Sequence, residues 1–306
     1  MLFVCATNKA TATEVGVFTG HGCPGIAPMA QFTTWFGAKP THNIQFTDIS
    51  SWDNMMKNAV ISMDCWKDQG YNMTWTVGML PADGSATLEE GARGTYNHYF
   101  YTLGTELVQR GFSNAILRVG HEFNSSGYPW AASKNPTAWV AYYRQIVTTL
   151  RSVPGANFQF DWCSNPGTRW IAQDKVYPGD DYVDIIGMDV YNEVWDVNAP
   201  HTSEAQWNFL VTQPNGLNWL ASFAQRHHKR ISIPEWATGR LYSAAGAQSL
   251  SVGDDSLFIT NMAAWMKANN VLYFDYWDVD RGGYNGRLET GEFPKTAAAF
   301  RANFRP

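Results

Sequence analysis

Eight short runs rich in β-branched and aromatic residues recur along this chain, and between most of them lies a stretch with apolar residues at helical spacing. The runs are residues 14–19, 43–46, 73–80, 115–119, 157–163, 183–191, 230–236 and 271–277. Helices are predicted over 28–36, 51–66, 95–110, 136–150, 204–227 with Pro214 as the place for a break, 254–268 and 294–304. The clearest is 95–110, where Tyr96, Tyr99, Phe100, Leu103, Leu107 and Val108 share one stripe that stops at Gly111. Strands separated by helices must run parallel, because each helix carries the chain back to the starting edge. Eight such units in 306 residues point to an α/β fold closed as a (β/α)8 TIM barrel, not an open sheet. No linker or repeat divides the chain, so one domain is expected over residues 1–306.

Composition narrows the partners. A net charge of −5 and a pI near 5.8 lack the basic footprint that nucleic acid or an anionic membrane needs, so neither is expected as a partner. Charged residues make up only 16%, whereas 14 Trp, 14 Tyr and 17 Phe exceed what a core alone calls for and suit a groove that stacks on sugar rings. Cys5, Cys23, Cys65 and Cys163 have no metal-type spacing and leave disulfides open. Met1–Ala6 is too short for a signal peptide and no run of 18 apolar residues occurs. The expectation is a soluble, secreted monomer that needs no cofactor and no metal.

A parallel barrel gathers its strand C-termini on one face, where such folds keep their chemistry. Glu122 follows the fourth run in Arg118-Val119-Gly120-His121-Glu122-Phe123-Asn124, and Glu235 ends the seventh, 113 positions later. Closure of the barrel would bring both into one cleft. A carboxylic acid and a carboxylate flanking one site are what glycosidic cleavage requires, at about 5–5.5 Å for a retaining enzyme and about 6.5–9.5 Å for an inverting one. Trp130, Trp162, Trp195, Trp236 and Trp277 follow strand ends and are the expected sugar platforms, with His21, Asp189, Asn192 and Asp278 as donors or acceptors for hydroxyls.

Arg118-x-x-His121-Glu122-x-Asn124 with Trp130 downstream, Tyr177-Pro178-Gly179-Asp180-Asp181-Tyr182-Val183-Asp184, Gly187-Met188-Asp189-Val190-Tyr191 and Pro234-Glu235-Trp236 together resemble family 26 of the glycoside hydrolases, in the retaining barrel clan. The resemblance implies that Glu122 is the acid/base and Glu235 the nucleophile, that Tyr191 donates its hydroxyl to the nucleophile, and that His121 lines the glycon subsite. It implies a β-linked polysaccharide substrate, with mannan the first guess and xylan, mixed-linkage glucan or an exopolysaccharide as alternatives. Ser125-Ser126-Gly127-Tyr128-Pro129-Trp130 and Pro234 before the nucleophile depart from the mannanase pattern and bear on the substrate more than on the reaction.

Three weaker motifs are set aside. Gly20-His21-Gly22-Cys23-Pro24-Gly25 fits G-x-G-x-x-G in form, but Pro24 and Pro28 stand where a dinucleotide fold opens its helix. Asp278 to Glu289 has calcium-loop spacing without the preceding helix, and His121-Glu122 lacks the second His of a zinc protease. A carbohydrate-binding barrel without catalysis and a metal-dependent barrel hydrolase are the competing readings.

Overall fold

The structure, a computed structural model, describes residues 12–193, 202–241, 251–281 and 283–306. Eight parallel strands form the barrel: β1 (Glu14–Phe18), β2 (His42–Phe46), β3 (Asn72–Val77), β4 (Ile116–Val119), β5 (Gln159–Ser164), β6 (Ile185–Met188), β7 (Arg230–Ala237) and β8 (Tyr273–Trp277). Each pairs with the next in sequence, and β8 pairs with β1 to close the ring. Helices α1 (Ile26–Phe36), α2 (Trp52–Trp66), α3 (Leu88–Ala92), α4 (Asn97–Gln109), α5 (Pro136–Arg151), α6 (Ser203–Thr212), α7 (Leu217–Arg226), α8 (Ser256–Ala268) and α9 (Pro294–Phe304) flank it.

The closed (β/α)8 barrel is the fold that the alternation demands, and the differences are local. Strand six is split at Asp189; β6 and its continuation Val190–Tyr191 both pair with β7, the continuation at Trp236–Ala237 in a shifted register. The connection from β5 to β6 has only a 3-10 turn at Gln173–Val176 where a helix would complete the unit. The predicted 204–227 helix divides into α6 and α7 around Pro214, and the polar loop before α4 contains α3, capped by the Thr87 hydroxyl. Helix α1 starts at Ile26, ahead of the expected Pro28, because a proline in the first turn lacks only an N–H that would have no helical partner. Cys23 and Cys65 form a disulfide that ties the turn after β1 to the end of α2, and Cys163 is buried as a free thiol.

Strand parity divides the core. In β4, Leu117 and Val119 face the helix layer and join the main apolar cluster, while Arg118 points into the barrel. The interior is polar over much of its height. His42 Nδ1 pairs with Asp275 Oδ2 at 2.8 Å, and Ser232 donates to Asp161 at 2.6 Å. Gly187 makes room for this, since a Cβ there would lie 2.6 Å from both Asp161 Oδ1 and Ser232 Oγ. Ile116, Ile185 and Tyr273 form an apolar layer of their own.

Candidate active site

Glu235 lies within β7 where the pairing with β8 shifts register between Ile233 and Trp236, and its carboxylate is held on both oxygens. Arg118 Nη1 donates to Oε1 at 2.6 Å and the Tyr191 hydroxyl donates to Oε2 at 3.0 Å. The other arm of the Arg118 guanidinium donates to Asp189 Oδ2. Arg118 is fully buried, and the carboxylates around it hold its proton well above the usual arginine range against the cost of burial. Charge-assisted bonds of this kind favour the ionised carboxylate.

Glu122 is built differently. β4 ends at Val119, Gly120 turns the chain at φ 59°, and Glu122 itself takes φ 52°, a left-handed conformation uncommon for a side chain of this size. Its N–H donates to the Cys163 carbonyl at 3.0 Å and its carbonyl accepts from Ser125 at 2.9 Å, so the strained turn is fastened on both sides. Burial, and then the nearby Glu235, push the Glu122 carboxyl up to about 7, while Arg118 and hydrogen bonds from Asn165 and Tyr128 pull the other way. The two carboxylates at one rim thus have different surroundings, two donors at Glu235 and burial beside another carboxylate at Glu122.

The neighbours fall into two groups. Burial and then Arg118 hold His121 well below the usual histidine range, so its ring is neutral, wedged against Phe46, Tyr128 and Trp130. Trp277, stacked on Phe18 at 4.1 Å, and Tyr191 line a cleft of about 550 Å³ together with Glu122. His21 packs against Phe18 and Phe46 beside them.

Several expected site residues are engaged elsewhere. Trp130, Trp162 and Trp236 are 0% exposed and cannot offer a face to a sugar; they are core residues, and the expectation of platforms there is corrected. Trp162 packs against Phe123 and Phe223, and the indole N–H of Trp130 donates to the His121 carbonyl, fixing the catalytic turn from behind. Arg118 pairs with Asp189, which also lines the cleft beside Glu122. Burial pushes Asp189 well up, Arg118 pulls it back, and the two glutamates push it further. Asn124 uses its amide on the backbone of Asn165 and Gly167, and Asn192 bonds Thr238 and Asp255. Asp278 accepts the Leu288 amide at 2.7 Å and Glu289 pairs with Arg287, so the calcium-like loop is closed by its own groups. Gly22 of the glycine-rich turn donates to Gln45 at 2.7 Å. Trp195 lies outside the described residues. No group of three or more His, Cys, Asp or Glu that could hold a metal occurs among the described residues, and no helix among them is long and apolar enough to cross a membrane.

Sequence reasoning missed Tyr284, Asn165 and Trp170, which line the cleft, and Tyr128 beside Glu122. Strand parity would have sorted the tryptophans. Glu235 points inward, so Trp236 must point out, whereas Trp277 shares the inward parity of Asp275.

Comparison with known proteins agrees with this geometry. The model of glycosyl hydrolase family 26 matches residues 106–225, a span that includes Glu122 and Tyr191 and ends before Glu235. An endoglucanase H of Acetivibrio thermocellus is 26% identical over 76% of this chain, and a mannan endo-1,4-β-mannosidase of Bifidobacterium adolescentis is 26% identical over 55% of it. The chain spans only 25% and 17% of the lengths of these two relatives. In fold, a Bacillus subtilis mannanase superposes with a TM-score of 0.62 at 15% identity, over 94% of this chain and 84% of its own. A modular endo-β-1,4-mannanase from Cellulomonas fimi gives 0.65 at 19% identity, over 89% and 64%.

Proposed function

We propose that this chain, a divergent relative of the family 26 glycoside hydrolases, cleaves a β-linked polysaccharide with retention of configuration. Glu235 is the nucleophile and Glu122 the acid/base. In the first step Glu235 attacks the anomeric carbon and Glu122 passes its proton to the departing glycosidic oxygen, leaving a glycosyl ester on Glu235. In the second, the Glu122 carboxylate takes a proton from water, the oxygen of that water attacks the anomeric carbon, and Glu235 leaves as the carboxylate. The observation that carries this reading is the asymmetry of the pair: Glu235 accepts hydrogen bonds from Arg118 and Tyr191 on its two oxygens, and Glu122 is pushed up to about 7 so that a proton is available near neutrality.

Trp277 and His121 are the side chains proposed to contact the glycon sugar. Mannan is the first substrate to try, in keeping with what the Bifidobacterium and Cellulomonas relatives are named for. The Cys23–Cys65 disulfide supports an oxidising compartment, hence secretion.

The test is a panel of mannan, β-1,3-xylan, mixed-linkage glucan and acidic exopolysaccharides, with products followed by mass spectrometry and their anomeric configuration by NMR. Glu235→Ala is expected to lose roughly 10⁴-fold or more in kcat, and azide should restore turnover as a glycosyl azide. Full activity in that variant, or products of inverted configuration, would end the proposal.

A further inference from the structure

Four large apolar side chains stand exposed among the described residues: Ile61, Tyr101, Trp170 and Phe209. Ile61 and Tyr101 are isolated on the outer helices. Trp170 and Phe209 come from unrelated elements, the β5–β6 connection and α6, yet both line the cleft that holds Glu122. They are 50% and 46% exposed. Scattered apolar side chains on a surface need no explanation, but two large rings converging on the wall of a polar cleft mark a surface that a ligand covers.

Arg169 adds a polar partner. Its guanidinium lies 4.9 Å from the centroid of the Trp170 ring, and it also lines the cleft. Arg169 is exposed and has no ion pair or hydrogen bond among the described residues. An indole face beside a planar fork of donors is matched to a pyranose, whose C–H face is apolar and whose edge carries hydroxyl acceptors.

Direction follows from the general acid. Glu122 protonates the oxygen that leaves, so the walls continuing from it border the leaving part of the substrate. Those walls are Ser125–Gly127 and Asn165–Gly167, and the second runs directly into Arg169 and Trp170. Trp277 and Tyr284 line the cleft beside Tyr191, which donates to Glu235.

We infer that Trp170, Phe209 and Arg169 form a sugar subsite on the leaving-group side of the cleft, taking a pyranose unit of the polysaccharide beyond the scissile bond. The inference rests on the hydrolytic reading above and adds to it a binding contribution remote from the chemistry. Binding energy gained there lowers KM for long substrates and is absent for substrates that end at the scissile bond.

Two substrates derived from the polysaccharide that the panel identifies separate these effects: its hexasaccharide, and an aryl disaccharide with no sugar on the leaving side. Trp170→Ala is expected to raise KM for the hexasaccharide about 10-fold while leaving kcat/KM for the aryl disaccharide unchanged. Arg169→Ala should raise the same KM by a smaller factor, about 3-fold. The aryl disaccharide serves as the folding control. An unchanged hexasaccharide KM, or an equal loss on both substrates, overturns the subsite. Should the wild type turn over none of the panel, the hydrolytic reading fails first, and affinity electrophoresis in gels containing the same polysaccharides then decides the subsite: retardation lost in Trp170→Ala supports it, and equal migration of wild type and variant refutes it.

Discussion

Glu235 and Glu122 stand three strands apart on one barrel rim, and the chain secures them by opposite means. Glu235 stays inside the hydrogen-bonded strand β7, at a register shift against β8, and meets a cation and a phenol. Glu122 lies beyond the end of β4 on a left-handed backbone, with its main chain fastened and its carboxyl among groups that favour the proton. A carboxylate proposed as nucleophile is served by donors on both oxygens. One that must gain and lose a proton is served by burial next to another negative charge. The difference teaches that role here comes from surroundings, since the two side chains are chemically identical.

The sharpest way to break this comparison is Glu122→Gln, which keeps the shape and removes the proton. Hydrolysis of the polysaccharide should fall by about 10²–10⁴-fold. An aryl glycoside with an acidic phenol needs no proton to depart, so its first step should survive and appear as a burst. With Glu122 in the proposed role of acid, wild-type activity should decline as pH rises through about 7. That limb should vanish in the variant; its persistence would assign it to another group.

A smaller effect is expected on the other side. Tyr191→Phe removes one hydrogen bond to the Glu235 carboxylate, worth about 1.5–3 kcal/mol for a charged acceptor, or roughly 10–100-fold in kcat. A variant with unchanged kcat would show that this hydroxyl does not assist Glu235.

The barrel and both glutamates were legible from alternation and from residues placed at strand ends, since these depend on local pattern. What the contacts of each side chain would be was less so. Trp162 and Trp277 look alike in a sequence, yet one is sealed under α7 and the other faces the cleft. Asp189 reads as a hydroxyl ligand until Arg118 is seen to occupy it. Trp170 gave no signal because it sits in a connection where the helical period fails and no strand parity applies. The split of strand six at Asp189 likewise accompanies a register shift along β7, which the run 183–191 does not announce.

Arg118 is four positions before Glu122 on the same stretch of chain, yet its side chain clasps Glu235 of another strand. The placing of the two carboxylates is therefore gauged by a single span of β4 and its turn, with the guanidinium as the far jaw of a caliper. Such a gauge does not care what the outer helices are made of. Loops can lengthen and surface residues can drift until little identity remains, and the jaws still close on the same gap.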